Sequence, residues 1–232
     1  MNVSLKNPYI AVSDGRTISY GGNQMRSERK TEREVGCGTV AALDLILYLS
    51  RFHLKCADPG LRLPVPEHGP IPLPNYLALL HTMRKKYAPL IPGHGINGLS
   101  LAVGLNAYFL GHHVPYLAFW GVPYARLWSC IREMLEKDIP VILSVGPNFP
   151  LFWQRHQLKF YSRTANGSFL PGPQAHAHYV TVTAMDDEWL QIASWGRKYF
   201  IRKDEYWAYV KQYSTKLVSN ILYIRKKGRG EA

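Results

Sequence analysis

Cys37 stands between Gly36 and Gly38 at the mouth of a long apolar run, Thr39 to Leu49. Those residue types at the start of a helix can make a nucleophile. The glycines bare the backbone around the sulfur and permit a tight turn. The helix behind directs its positive end at the sulfur and favours thiolate over thiol. A thiolate needs a base that takes its proton and later returns it to a leaving group. His178 is the candidate. It lies about 140 residues downstream, a spacing suited to a nucleophile and base on separate halves of a chain. It opens an alternating stretch, His178 to Thr183, behind a loop containing Gly167, Pro171, Gly172 and Pro173, which sets it at a sheet edge near a cleft. His176 shares its face by the strand rule. On its own residues, Cys37 reads equally well as a small buried side chain capping a core helix.

The elements that must position this pair follow from the pattern. Tyr9–Val12 and Thr17–Tyr20 read as short strands around the turn Ser13-Asp14-Gly15, followed by a loop with two amides, Asn23 and Gln24. A charged, exposed connection then leads to Gly36. The helix from Cys37 should run to about Ser50 and, being apolar nearly all round except at Asp44, belongs in the core. The proline-rich segment 55–74 is a loop. Further helices are expected over Asn75–Tyr87, over Gly98–Leu110 behind the cap Asn97, and after Pro123, where Cys130 belongs to an apolar stripe. Strands follow at Pro140–Val145, Leu158–Ser162 and His178–Thr183. A hairpin of Trp189–Ala193 and Lys198–Ile201 comes next, then a helix capped by Asp204 and a last strand, Val218–Ile224. Helices first and antiparallel strands second make an α+β fold whose two halves wall a cleft.

The chain has 232 residues, 47% hydrophobic and 19% charged, which suits a globular protein with a substantial core. The start, Met1 to Pro8, has no apolar stretch of signal-peptide length, and no run is long enough for membrane insertion. Three cysteines, Cys37, Cys56 and Cys130, cannot all pair, so a reduced, cytoplasmic setting is expected. The net charge of +12 is scattered, and the tail from Arg225 reads as a solvated end. With no zinc-finger spacing, helix-turn-helix signature or phosphate-binding loop, no specific nucleic acid is expected as a partner, and no cofactor.

The string His178-Tyr179-Val180-Thr181-Val182-Thr183-Ala184-Met185-Asp186-Asp187, then Leu190-Gln191-Ile192-Ala193-Ser194-Trp195-Gly196, resembles the end of papain-like cysteine peptidases. In them a histidine opens one strand and a later strand ends in an Asn-Ser-Trp-Gly turn. With Gly-Cys-Gly before an Ala-rich helix, the likeness spans about residues 20–224. It is greatest to the bacterial C39-like branch, the double-glycine leader peptidases and their stand-alone relatives. The resemblance implies a single papain-like domain over 1–232. Its helical half covers about 21–138, its sheet half about 139–226, and a basic tail 225–232.

The resemblance also implies roles. Cys37 is the nucleophile and His178 the general base, acting on a peptide or protein substrate. The oxyanion is held by the Cys37 N–H and by a side-chain amide upstream. The family's glutamine would fall six residues before the cysteine, at Thr31, so the amide must come from Gln24, or less well from Asn23. The histidine-orienting Asn or Asp falls on Ala193, which cannot hydrogen-bond. Ser194, one residue on, is the candidate third member, with Trp195 shielding the pair. Asp186 and Asp187 come too early. Three other readings stay open: a metal site using His176, His178, His112 and His113; a pseudopeptidase that binds peptides; and an acyltransferase using the same Cys–His pair.

Overall fold

The computed structural model describes residues 1–53, 66 and 68–228; Cys56 and most of the expected 55–74 loop lie outside them. In chain order the elements are β1 (Val3–Ser4), β2 (Ala11–Ser13), β3 (Ile18–Tyr20), α1 (Lys30–Val35), α2 (Cys37–Phe52), β4 (Ile71–Pro72), α3 (Leu73–Lys86) and α4 (Gly98–Gly111). Then come β5 (Tyr116–Trp120), α5 (Leu127–Glu136), β6 (Val141–Val145), β7 (Leu158–Arg163), β8 (Phe169–Ala175), β9 (His178–Met185), β10 (Trp189–Ser194), β11 (Arg197–Arg202), α6 (Lys203–Tyr213) and β12 (Ile221–Lys226).

The apolar run behind Cys37 dictates the architecture. Ala41, Ala42, Leu45, Ile46 and Leu49 of α2 face one hydrophobic cluster, shared with the sheet, α4 and α5. Leu43, Leu47 and Tyr48 face a second, smaller cluster with Tyr9, Ile10, Val12, Tyr76 and Leu80. A helix wedged between two cores has no solvent face, which is why its sequence lacks a polar stripe. Each leucine so buried stabilises the fold by about 1.5–3 kcal/mol.

The main sheet is antiparallel, in the order β5-β12-β6-β9-β10-β11-β7-β8, with β1 paired to β9. It is buried where α2 crosses β9 and β6, and every residue of β6 is buried. A small second sheet, β3-β2-β4, pairs β2 antiparallel with β3 and parallel with β4. The mixed helix and antiparallel-sheet character matches the expected α+β class. The halves are less separate than expected, because β1 and β5, from the first half of the chain, complete the sheet.

Several local expectations are corrected. The charged connection before Gly36 is helix α1, and its Glu32 is buried. Arg84 Nε lies 3.0 Å and His81 Nδ1 3.5 Å from Glu32 Oε1, both on α3, while Ser27 Oγ donates to Oε2 at 2.5 Å. The Gly/Pro loop before His178 is in part strand β8, with Pro171 and Pro173 tolerated because β8 is a sheet edge. At the other edge, β5 was missed, and the Asn106 amide bonds both the N–H (2.8 Å) and the C=O (2.7 Å) of Ala118 there. Asp204 sits in the first turn of α6 and does not cap it. Arg225 and Lys226 belong to β12, Arg225 over the Phe119 ring, so the start of the expected basic tail is strand; 229–232 lie outside the described residues. Cys130 is core, as its stripe implied.

Candidate active site

Four separate segments meet at one small cavity of about 20 Å³, room for about one water molecule. Cys37, Gln24, His178 and Ser194 all line it, together with Asp44, Ala193 and Trp195.

Cys37 is the first residue of α2, and Gly36 caps that helix while also ending α1. The flanking glycines are there for closeness of approach. A Cβ on Gly36 would lie 2.3 Å from the Glu32 carbonyl oxygen, and one on Gly38 would lie 2.7 Å from Ile96 and 3.1 Å from the Tyr179 ring. Gly36 has an ordinary φ of −82°, so the tight junction of α1 and α2 does not draw on glycine's left-handed freedom. Removing both side chains lets α1 and β9 close on either side of the sulfur. The Sγ then meets the N–H groups of Tyr179, Gly38 and Cys37 itself.

Those donors do not prevail. Burial pushes the Cys37 thiol above its ordinary value, and the three N–H groups only reduce the shift. Burial thus works against the activated thiolate expected from the helix end alone. The imidazole moves the opposite way: burial pushes His178 down to about 3. Its ring is stacked on Trp195, centroids 4.5 Å apart with an 18° interplanar angle, and Phe160 lies 6.4 Å away. Burial acts on both groups in the sense that favours a neutral thiol and a neutral imidazole. No hydrogen bond joins them among the described residues.

His178 opens β9, and its Nε2 lies 2.8 Å from Ser194 Oγ at the end of β10. Nδ1 has no hydrogen bond among the described residues. His176 does not share the strand face, because Ala177 has φ +48° and puts the pair His176–Ala177 in the connection between β8 and β9. Ala193, at the position of the expected amide or carboxylate, packs into the second hydrophobic cluster. Trp195 and Gly196, both at positive φ (+49° and +73°), form the two-residue turn into β11. A tryptophan in that region is strained, and its ring is packed among His178, Phe160 and Tyr199.

Gln24 starts a short 3-10 helix and is buried. Its Nε2 donates to the Arg33 carbonyl at 2.9 Å, leaving the second N–H of the amide for another acceptor. Helix α1 takes up the residues between Gln24 and Cys37 and folds them back, bringing both to the cavity. Asn23 is turned to a different task, its Oδ1 accepting the Met25 N–H at 3.0 Å.

Asp44 was overlooked as part of the site. It lies two helical turns after Cys37 on the same side of α2 and is fully enclosed. Its Oδ1 accepts from Tyr76 OH at 2.7 Å; its Oδ2 accepts from Tyr9 OH at 3.1 Å and from Gly22 N–H at 2.9 Å. Burial outweighs these donors and pushes its carboxyl up to about 6. The signal was present as the one acidic residue in an apolar helix.

No protein-family model matches this chain, and no curated protein does. Among solved structures, a protein of Bacillus anthracis provisionally described as a C39-like peptidase aligns over 97% of this chain and 98% of its own, at 12% identity and a TM-score of 0.46. A likeness of that strength carries no functional weight; the cavity's residues must. Among the described residues, no helix is long and apolar enough to cross a membrane.

Proposed function

We propose that this chain is a thiol hydrolase of papain-like arrangement that cleaves peptide or amide bonds through an acyl-enzyme on Cys37. The observation that carries the reading is the convergence of Cys37, His178, Ser194 and Gln24 on one cavity, with His178 Nε2 2.8 Å from Ser194 Oγ. With Nε2–H donating to Ser194, the Nδ1 lone pair is left to take the thiol proton as sulfur attacks the carbonyl carbon. The oxyanion receives the Cys37 N–H and the second N–H of Gln24. Protonated Nδ1 then gives its proton to the leaving amine as the C–N bond breaks. Water, deprotonated by the same nitrogen, cleaves the thioester, releases the carboxylic acid and restores the thiol.

Because Ser194 is neutral, it orients the ring without the charge stabilisation a carboxylate would give the imidazolium. The neutral resting pair suits a mechanism in which proton transfer accompanies attack. The test is labelling with a peptidyl epoxide. Wild-type protein should take up one equivalent at Cys37, and His178→Ala should lose most of that rate. A binding-only pseudopeptidase is the second reading, favoured by the small cavity and the raised thiol. It predicts peptide binding with no labelling of Cys37 at all.

A further inference from the structure

Beyond Trp195 lies a second cavity, of about 250 Å³, which has no part in the chemistry above. Trp195 lines both cavities, and Asn23, next to Gln24, lines the larger one. The two cavities thus share Trp195 as a wall, which sets the second beside the first. The volume suits one side chain, being somewhat below the usual range for whole small-molecule sites.

Its charge is one-sided. Among the described residues, Arg26 and Arg197 line it against a single acid, Asp14. Asp14 is already engaged: its Oδ1 accepts the N–H groups of Arg16 (2.9 Å) and Thr17 (2.7 Å), and its Oδ2 is 3.2 Å from Arg26 Nη1. Those contacts hold its carboxyl down at about 2, so it stays ionised and paired with Arg26. Arg197 is different. It is exposed, and among the described residues its guanidinium forms no ion pair and no hydrogen bond. Its backbone is fixed all the same. Arg197 is the cross-strand partner of Ser194, and the turn between them is pinned by Tyr20 N–H donating to the Gly196 carbonyl at 2.8 Å. A forked donor anchored by its backbone at the rim of a cavity, where the one lining carboxylate among the described residues is spent on another arginine, suits a carboxylate from outside.

We infer that this cavity is a recognition subsite for a carboxylate of the substrate, held by Arg197 and flanking the bond presented to Cys37. This rests on the proposed hydrolase reading for the word substrate, but its test does not need turnover. Binding is measured by titration calorimetry on Cys37→Ala with three peptides: acetyl-Ala-Ala-Glu-Ala-Ala-amide, its Gln counterpart, and acetyl-penta-alanine with a free C-terminus. The Glu peptide should bind about tenfold more tightly than the Gln peptide, the strength of one charge-assisted contact. If the carboxylate is read at a chain end, the free-acid peptide shows that preference in its place. In either case Arg197→Gln should abolish the preference, Arg197→Lys should keep part of it, and Lys211→Gln on the exposed face of α6 should leave it unchanged. Equal binding of all three peptides, no binding of any, or a preference that survives Arg197→Gln overturns the subsite. Circular dichroism confirms that each variant is folded. Epoxide labelling of Cys37 in the wild type is read separately, so the hydrolase reading and the subsite can fail independently.

Discussion

Asp44 accepts the backbone N–H of Gly22 at 2.9 Å, tying the helix that begins at Cys37 to the loop that leads to Gln24. The same carboxylate takes the hydroxyls of Tyr9 and Tyr76, which come from β2's leading segment and from α3. One buried acid thus fastens three parts of the chain around the candidate site. Asp44→Ala should strand two buried hydroxyls and a backbone N–H, and cost about 3 kcal/mol. Asp44→Asn, which keeps an acceptor, should cost less. Urea unfolding measures both, and equal stability of Asp44→Ala and wild type would show that the tie is idle.

Ser194→Ala removes the contact to His178 Nε2 without touching Cys37. The fold should survive, and the rate of epoxide labelling should drop about tenfold, the loss expected when one orienting hydrogen bond goes. Ser194→Asp supplies a charge in place of the hydroxyl and should raise labelling above that of Ser194→Ala. An unchanged rate in Ser194→Ala removes the serine from the site.

Cys37 in the substrate-free protein should behave as a buried thiol. Iodoacetamide should modify it slowly at neutral pH, with a rate that climbs only above the ordinary thiol range. His178→Gln should leave that profile in place, since burial, not an ion pair, sets it. Rapid alkylation in mildly acidic solution, mapped to Cys37 by mass spectrometry, would instead reveal a preformed thiolate–imidazolium pair.

The two buried titrating groups pull stability in opposite directions. His178 protonates near 6.5 when unfolded but at about 3 when folded. Between those values the unfolded chain holds the extra proton, so stability falls as pH drops, by up to about 1.4 kcal/mol per unit. Asp44 goes from 3.8 unfolded to about 6 folded, so in that window the folded state holds the extra proton and stability falls as pH rises. The terms partly cancel in wild type. His178→Gln should therefore lose less stability than wild type between about pH 7 and pH 4, and Asp44→Asn should lose more, as read from urea midpoints across that range.

What could be read from sequence was what is local. The apolar run of α2 and the alternation of β9 to β11 announce themselves, because a helix between two cores and a buried strand each leave a periodic trace. Cys37 and His178 were legible as residue types with suitable neighbours. Helix α1 was not. Glu32 reads as a solvated charge until Arg84 and His81, far along the chain, are seen beside it. Asp44 was passed over for the same reason, since Tyr9 and Tyr76 are distant in sequence. Gln24 was legible by type but not by spacing, because α1 absorbs the residues that separate it from Cys37. The resting charge state could not be read either, since it depends on how much protein covers the sulfur and the ring.

The main sheet ends at β8 on one side and β5 on the other, and both ends are chemically occupied. Pro171 and Pro173 deny β8 two of the donors that another strand would need. At β5, the Asn106 amide already fills both backbone groups of Ala118. Neither margin offers a full ladder to an incoming chain. The sheet is thereby guarded against taking up an extended peptide, or an unfolded copy of the chain, as an extra strand.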